Sequence, residues 1–251
     1  MSLSLSRLAD GLLAVLLAPA CAACRVPLSH PSRGPVCGVC WDAIGRFTPP
    51  LCARCGDPLP SWRVTSSDAE GAGVCPRCSG RASALSRSRA IGPYDGTLRA
   101  IVHAFKYEGC RSLARELGLR LRESAADVLQ SADIVVPVPL HRSRRRTRGF
   151  NQARELAGQL GVTMVDALRR TRATPSQTDL PADARHGNMQ NAFALKRGPA
   201  RRKLEGLRIV LVDDVSTTGA TIEACGVVLR AAGAADVSAV TAARVASRPI
   251  G

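Results

Sequence analysis

"IVLVDDVSTTGAT", residues 209–221, carries the reading of this chain. Four apolar residues, Ile209 to Val212, run straight into Asp213 and Asp214, and Ser216, Thr217, Thr218, Gly219, Ala220 and Thr221 follow. The apolar run predicts a buried strand over 207–213, and the pattern behind it predicts a helix over 219–232. In open α/β sheets, ligands sit outside the carboxyl ends of the strands. A turn at that place offers backbone N–H groups, small hydroxyls and a helix N-terminus, a setting that favours a phosphate. Gly219 lets the backbone approach closely. Two carboxylates beside a phosphate would repel it unless they bind something else, and sugar hydroxyls or Mg²⁺ satisfy them. A ribose 5′-phosphate fits both halves.

The flanking sequence supports an α/β architecture. "GTLRAIVHAFKYEG" (96–109) puts Leu98, Ile101, Val102 and Phe105 on one helical face, and residues 111–129 predict a second amphipathic helix. "ADIVVPVPL" (132–140) is a short apolar run that ends in prolines, a buried strand that stops abruptly. A helix over 151–161, a strand candidate at 162–166 and a strand at 236–243 complete the alternation, which means a parallel sheet. Residues 173–193 are polar, irregular and long enough to form a lid over a site. Arg172, Gln177, Arg185, Asn188 and Asn191 are its candidate contacts.

The first eighty residues have a different texture. Eight of the ten cysteines fall as four Cys-x-x-Cys pairs: Cys21/Cys24, Cys37/Cys40, Cys52/Cys55 and Cys75/Cys78. Two such pairs make one tetrahedral zinc site, and a closed four-sulfur site is structural rather than catalytic. Sequential pairing gives two ribbons with 12- and 19-residue spacers. An interleaved arrangement, or one full site with a pair to spare, uses the same residues. Thiolate zinc implies a reducing compartment, hence the cytoplasm. "LLAVLLAPAC" (12–21) has a trace of a signal peptide, but Asp10 precedes it and Pro19 sits at the junction. It reads better as an apolar helix packed beside the zinc module. No stretch approaches the ~20 apolar residues of a membrane span. Residues 80–90 read as a linker, dividing the chain into 1–88 and 89–251.

Charge narrows the partners. The 251 residues carry a net charge of +15, and seven Arg against five acids in residues 1–80 leave +13 for the remainder. A phosphorylated or polyanionic partner follows from that balance. Aromatic residues make up only 3% of the chain, which argues against a base-stacking single-strand binder.

The opening stretch resembles the phosphoribosyl pyrophosphate (PRPP) signature of type I phosphoribosyltransferases over all thirteen residues. One departure is Ser216, where that family usually has Val or Ile. Together with the cysteine pairs, "FKYEG" (105–109), "VPVPLHRSRRRTRGFNQ" (136–152), "RTRATPSQTDL" (170–180) and "RHGNMQNAF" (185–193) resemble the ComF family in order and spacing from Cys21 onwards. The resemblance implies a type I phosphoribosyltransferase fold, a parallel sheet flanked by helices, behind a small N-terminal zinc-ribbon module. It also implies Mg²⁺–PRPP as ligand and a link to DNA uptake. Asp213 and Asp214 would then hold the ribose hydroxyls, and Ser216 to Thr221 the 5′-phosphate. Pro139, Leu140 and His141 match the loop that holds pyrophosphate in that family. Arg145 and Arg148, just past the strand end, and Lys106 are its candidate phosphate contacts. His141 is also a candidate hydrogen-bonding residue of the site, and Asn151 could cap the next helix. Three functions fit: an active transferase, a PRPP-binding protein that handles single-stranded DNA, or a zinc-ribbon adaptor for DNA-uptake proteins.

Overall fold

A four-stranded parallel sheet forms, its central strands drawn from the apolar runs at 209–212 and 237–243. The computed structural model describes residues 10, 18–59, 66–67, 73–171, 192–197 and 204–245. Most of the N-terminal apolar stretch, most of the 62–73 insertion and the lid candidates Arg172, Gln177, Arg185, Asn188 and Asn191 lie outside them. Along the chain come α1 (Gly38–Asp42), a hairpin of β1 (Ser66–Ser67) and β2 (Gly73–Val74), then β3 (Ser88–Pro93), α2 (Gly96–Tyr107), α3 (Leu113–Ser124) and α4 (Ala126–Leu129). There follow β4 (Ile134–Pro137), α5 (Arg142–Arg148), α6 (Gln152–Ala157), β5 (Leu168–Arg170) and β6 (Phe193–Leu195). The last elements are β7 (Arg208–Ser216), α7 (Ala220–Arg230) and β8 (Asp236–Arg244).

The sheet order is β3-β8-β7-β4, with every pair parallel. Strands covered on both faces read as nearly continuous apolar runs, which is how β7 and β8 were recognisable. Alternate residues serve opposite faces. Val210, Val212 and Val240 pack with Leu98, Ile101 and Phe105 of α2 and Leu117 of α3. Ile209, Leu211 and Val237 pack with Ile222, Cys225 and Leu229 of α7.

Three expectations change. The strand proposed at 162–166 amounts to a single bridge, Met164 to Val135. The next position on that edge of β4 is Pro137, which has no N–H to continue the ladder. The chain instead makes β5, paired antiparallel with β6 from beyond residue 190. The linker proposed at 80–90 runs into the sheet, because β3 starts at Ser88. Finally, β7 extends to Ser216, three residues past the expected end, because β8 pairs with it as far as Arg244.

Both ribbons lie against the sheet. Cys21, Leu28, Val36, Cys40 and Ile44 belong to the same apolar core as α2 and α3. On the edge strand β3, the Ser88 N–H donates to the Arg54 carbonyl at 2.6 Å, so the second ribbon covers backbone that would otherwise be an open edge.

Candidate ligand cleft and zinc sites

The acid pair lies where the sheet opens. Strand β4 ends with Pro137 opposite Val212, while β7 continues along β8, so beyond Val212 one side of β7 has no neighbouring strand. Asp213 and Asp214 stand at that step, and a cavity of about 240 Å³ opens in front of them. The last turns of two helices bring cations to it. Lys106 Nζ lies 2.9 Å from Asp214 Oδ1, and Arg148 Nη1 lies 3.7 Å from Asp214 Oδ2. Arg148 also donates to the Tyr107 hydroxyl at 3.1 Å and lies over that ring, which fixes its direction.

Asp213 behaves differently from its neighbour. Its Oδ1 accepts the Asp214 N–H at 2.8 Å. Burial, and then the adjacent Asp214 charge, push its carboxyl up to about 7, against the opposing pull of Lys106 and Arg170. Arg170 is a contributor that sequence reasoning missed. It comes from β5, lies over the Phe193 ring of β6 at 5.3 Å, and lines the cleft. Burial and the nearby Arg144 draw its guanidinium below the usual value.

The phosphate turn faces two ways. Thr217 and Thr221 line the cleft. Ser216, Thr218, Gly219 and Ala220 line a separate chamber behind it, toward the second ribbon. Gly219 has φ +79°, a left-handed conformation that a side chain disfavours, and it starts α7.

The structure therefore gathers Asp213, Asp214, Lys106, Arg148, Pro139, Leu140, Thr217 and Thr221 in one cleft, with Arg144, Arg170 and Asn151. Arg145 is exposed and does not line it. His141 does not line it either; its carbonyl accepts the Arg145 N–H at 2.9 Å in the first turn of α5. Asn151 caps α6 by accepting from the Ala153 N–H, and its amide donates to the Val138 carbonyl at 3.1 Å. That bond ties the helix start to the loop carrying Pro139 and Leu140.

The cysteines pair sequentially. Cys21, Cys24, Cys37 and Cys40 form one cluster and Cys52, Cys55, Cys75 and Cys78 the other, each with all its sulfurs within 4.8 Å. Neighbouring sulfurs lie 3.8 Å apart in the first cluster and 3.7 Å apart in the second. A Zn–S bond of about 2.3 Å in a tetrahedron sets sulfurs about 3.8 Å apart, and a disulfide would hold them at about 2.05 Å. Backbone N–H groups of Cys37, Cys55 and Cys75 point at Cys21 and Cys52 sulfurs, as expected when those sulfurs are thiolates. In the second cluster the bond from Cys55 draws the Cys52 thiol well down, while bonding to Cys52 pushes Cys55 up to about 12 and Cys78 higher still. Four sulfurs this close cannot all ionise without a cation. The residues fit structural zinc at both sites.

A parallel sheet with an acid pair and phosphate turn at its open end, behind a cysteine module, defines the phosphoribosyltransferase class. Residues 120–250 match the phosphoribosyl transferase domain, and residues 12–79 match the double zinc ribbon domain. The chain belongs to the ComF family. Among its relatives, Competence protein F of Haemophilus influenzae is 30% identical over 86% of this chain and 93% of that protein. DNA utilization protein YhgH of Escherichia coli K12 is 34% identical over the same shares. Competence protein ComFC of Bacillus subtilis is 29% identical over 83% of this chain and 84% of that protein. Among the described residues, no helix is long and apolar enough to cross a membrane.

Proposed function

We propose that the cleft binds Mg²⁺–PRPP and that the chain transfers the phosphoribosyl group to an acceptor, releasing pyrophosphate. The observation that carries this is the joint placement of the acid pair, Thr217 and Thr221 of the phosphate turn, and four cations, Lys106, Arg144, Arg148 and Arg170, around one cleft. Ribose hydroxyls donate to Asp213 and Asp214, and residues Thr217 to Thr221 take the 5′-phosphate. The cations take the pyrophosphate, Lys106 and Arg148 leaving Asp214 as the hydroxyls arrive. Carboxylate oxygens and a polyphosphate ligand suit Mg²⁺, which on the pyrophosphate would spread its charge. In the transfer, the C1–oxygen bond breaks with its electron pair on pyrophosphate. An acceptor lone pair bonds to C1, and the acceptor proton leaves to solvent. Guanidinium and ammonium groups facing the leaving oxygens stabilise the charge that develops there.

Titration calorimetry of PRPP with and without Mg²⁺ tests the binding step. Wild type should bind with Mg²⁺, and the Asp213→Asn/Asp214→Asn double variant should lose at least tenfold in affinity. Asp213 accepts hydroxyl bonds best when ionised, so affinity should fall as pH drops from 8 to 6. The sign for stability is the reverse. A carboxyl raised from 3.8 to about 7 favours the fold below its unfolded value, and that contribution is lost as pH rises through 7. Asp213→Asn should then be more stable than wild type at pH 8 and equal to it below pH 4. PRPP binding that survives the double variant intact would remove this reading.

A second role, handling single-stranded DNA in uptake, is supported by two observations. Arg145 and Arg146 are exposed on α5 beside the cleft, and the relatives carry competence and DNA-utilization names. Binding through phosphates should weaken with salt by a log–log slope of about −0.7 per phosphate neutralised. A flat salt dependence would remove it. In this reading the protein works in the cytoplasm, where thiolate zinc persists, with the ribbons as a surface for DNA-uptake proteins.

A further inference from the structure

The stretch RGFNQ, residues 148–152, ends in a side chain to which the transferase reading gives no task. The others are accounted for. Arg148 faces Asp214. Phe150 packs against Phe105, ring centroids 5.5 Å apart. Both polar atoms of the Asn151 amide are bonded to backbone. Gln152 opens α6, is only 1% exposed, and lines the cleft.

The Gln152 amide is half used. Its Oε1 accepts from Arg148 Nη1 at 3.4 Å. A guanidinium has donors and no acceptor, so this contact fixes how the amide lies. The oxygen is toward Arg148, and the NH₂ group is turned away from it. That nitrogen is buried and has no hydrogen-bond partner among the described residues. The large majority of buried side-chain polar atoms are paired, and one that is not asks for a specific reason. On the wall of a ligand cleft, the reason at hand is that the acceptor arrives with the ligand.

The surroundings say which acceptor. The side chain bonded to this amide is Arg148, and Arg144 and Lys106 line the same cleft. A donor set among cations suits an anionic oxygen, to which hydrogen bonds are stronger than to neutral ones. Ribose hydroxyls are drawn to Asp213 and Asp214 instead. Asn151, one residue earlier, has no donor to spare, because it holds the loop in place.

On the transferase reading, which puts the diphosphate among the cations, we propose that Gln152 recognises that diphosphate. Its Nε2 donates to a phosphate oxygen beside Arg148, and this bond separates diphosphate-bearing ligands from ribose 5-phosphate. The empty protein holds the donor unpaired, and the ligand pairs it.

The test is calorimetry of the zinc-loaded full chain, with Mg²⁺, against PRPP, pyrophosphate and ribose 5-phosphate. Wild type is compared with Gln152→Glu and Gln152→Met, with zinc content as the check on folding. Glutamate keeps the shape and still accepts from Arg148, but has no donor when ionised. Methionine keeps the volume and drops both roles. Each variant should weaken PRPP and pyrophosphate by about tenfold or more, the worth of one hydrogen bond to a charged group. Ribose 5-phosphate should change by less than about twofold. The melting midpoint of empty Gln152→Met should stay at or above that of wild type, since the unpaired amide is gone. If Gln152→Glu binds PRPP as wild type does, the amide only holds Arg148, and the proposal falls while the transferase reading stands. Equal weakening of ribose 5-phosphate, or a lower midpoint in Gln152→Met, also overturns it. If wild type binds pyrophosphate in a Gln152-dependent way but never PRPP, the transferase reading falls and this role of Gln152 stands.

Discussion

The segments Pro19–Leu28 and Pro50–Leu59 read PACAACRVPL and PLCARCGDPL, and their backbones repeat as closely as their sequences. Cys21 N–H donates to the Val26 carbonyl at 2.8 Å, as Cys52 N–H does to Asp57 at 2.8 Å. Leu28 and Leu59 donate back to Pro19 and Pro50 at 2.9 and 2.8 Å. Their surroundings differ. The first knuckle is continuous with the main apolar core, through Cys21, Leu28 and Cys40. The second keeps a small cluster of its own, Cys52, Cys55, Leu59 and Val74. Directional polar contacts fasten it instead to β3 and β8, the latter paired with the strand that leads into the phosphate turn. Arg244 Nη1 reaches the Cys55 carbonyl at 2.8 Å, and its Nε pairs with Asp57 at 2.8 Å. One repeat thus serves as foundation and the other as brace.

The largest expected effect separates the two by metal loss. Cys40→Ser removes a buried ligand whose site is part of the core, and the free energy of a structural zinc site is folding free energy. Zinc content should drop from two ions to one, and stability in urea should fall by about 4 kcal/mol or more. Cys55→Ser should also lose one zinc. In that variant the sheet and α2 should still melt cooperatively near the wild-type midpoint, while amide exchange at Ser216 to Thr221 speeds up. Equal loss of stability in the two variants would break the distinction between foundation and brace.

Next in size is the brace itself. Arg244 and Asp57 are each only 8% exposed at the side chain. Removing one partner of a buried pair costs about 3–5 kcal/mol, because the other charge stays buried. Arg77 remains on Asp57, so Arg244→Met should lie at the low end, about 3 kcal/mol. Arg244 also pairs with Ser216 across β7 and β8, so exchange at the turn should rise with it. The corresponding tie of the first ribbon, Arg25 to Glu108 at 2.9 Å, is 66% and 31% exposed. Glu108→Gln should change stability by less than about 1 kcal/mol. Denaturation midpoints of the two variants give the ranking directly.

The same contrast explains what the sequence disclosed. Strands β7 and β8, helix α7 and the cysteine pairs are local patterns, and the acid pair with its turn lies within one continuous stretch. Arg170 was hidden because β5 pairs with β6 across more than twenty residues, and nothing local marks that partner. Choosing among Arg142 to Arg148 required the phase of α5, and a run of arginines contains no apolar residue to set it. The helix places Arg144 and Arg148 four residues apart on the cleft side and leaves Arg145 off that face. Ser216 stood out only as a departure from the usual Val or Ile, because its neighbour in space, the second ribbon, is more than 130 residues away in sequence.

The smallest expected effect concerns one repeat position. Arg25 and Gly56 occupy equivalent places, and both are left-handed, at φ +64° and +73°. Outside that angle they have little in common. A Cβ on Gly56 would lie 2.7 Å from the Ser88 carbonyl oxygen, backbone that begins β3 and cannot give way easily. Gly56→Ala therefore adds a steric clash to the usual left-handed penalty of about 1–2 kcal/mol, for a loss of roughly 2–3 kcal/mol. Arg25→Gly relieves that penalty and gives up a solvent-exposed ion pair of about 0–1 kcal/mol, so its stability should stay within about 1 kcal/mol of wild type. The measurement is the difference between the two urea midpoints. If Gly56→Ala is as well tolerated as Arg25→Gly, the second knuckle does not press against β3, and its close seating beside the phosphate turn is wrong.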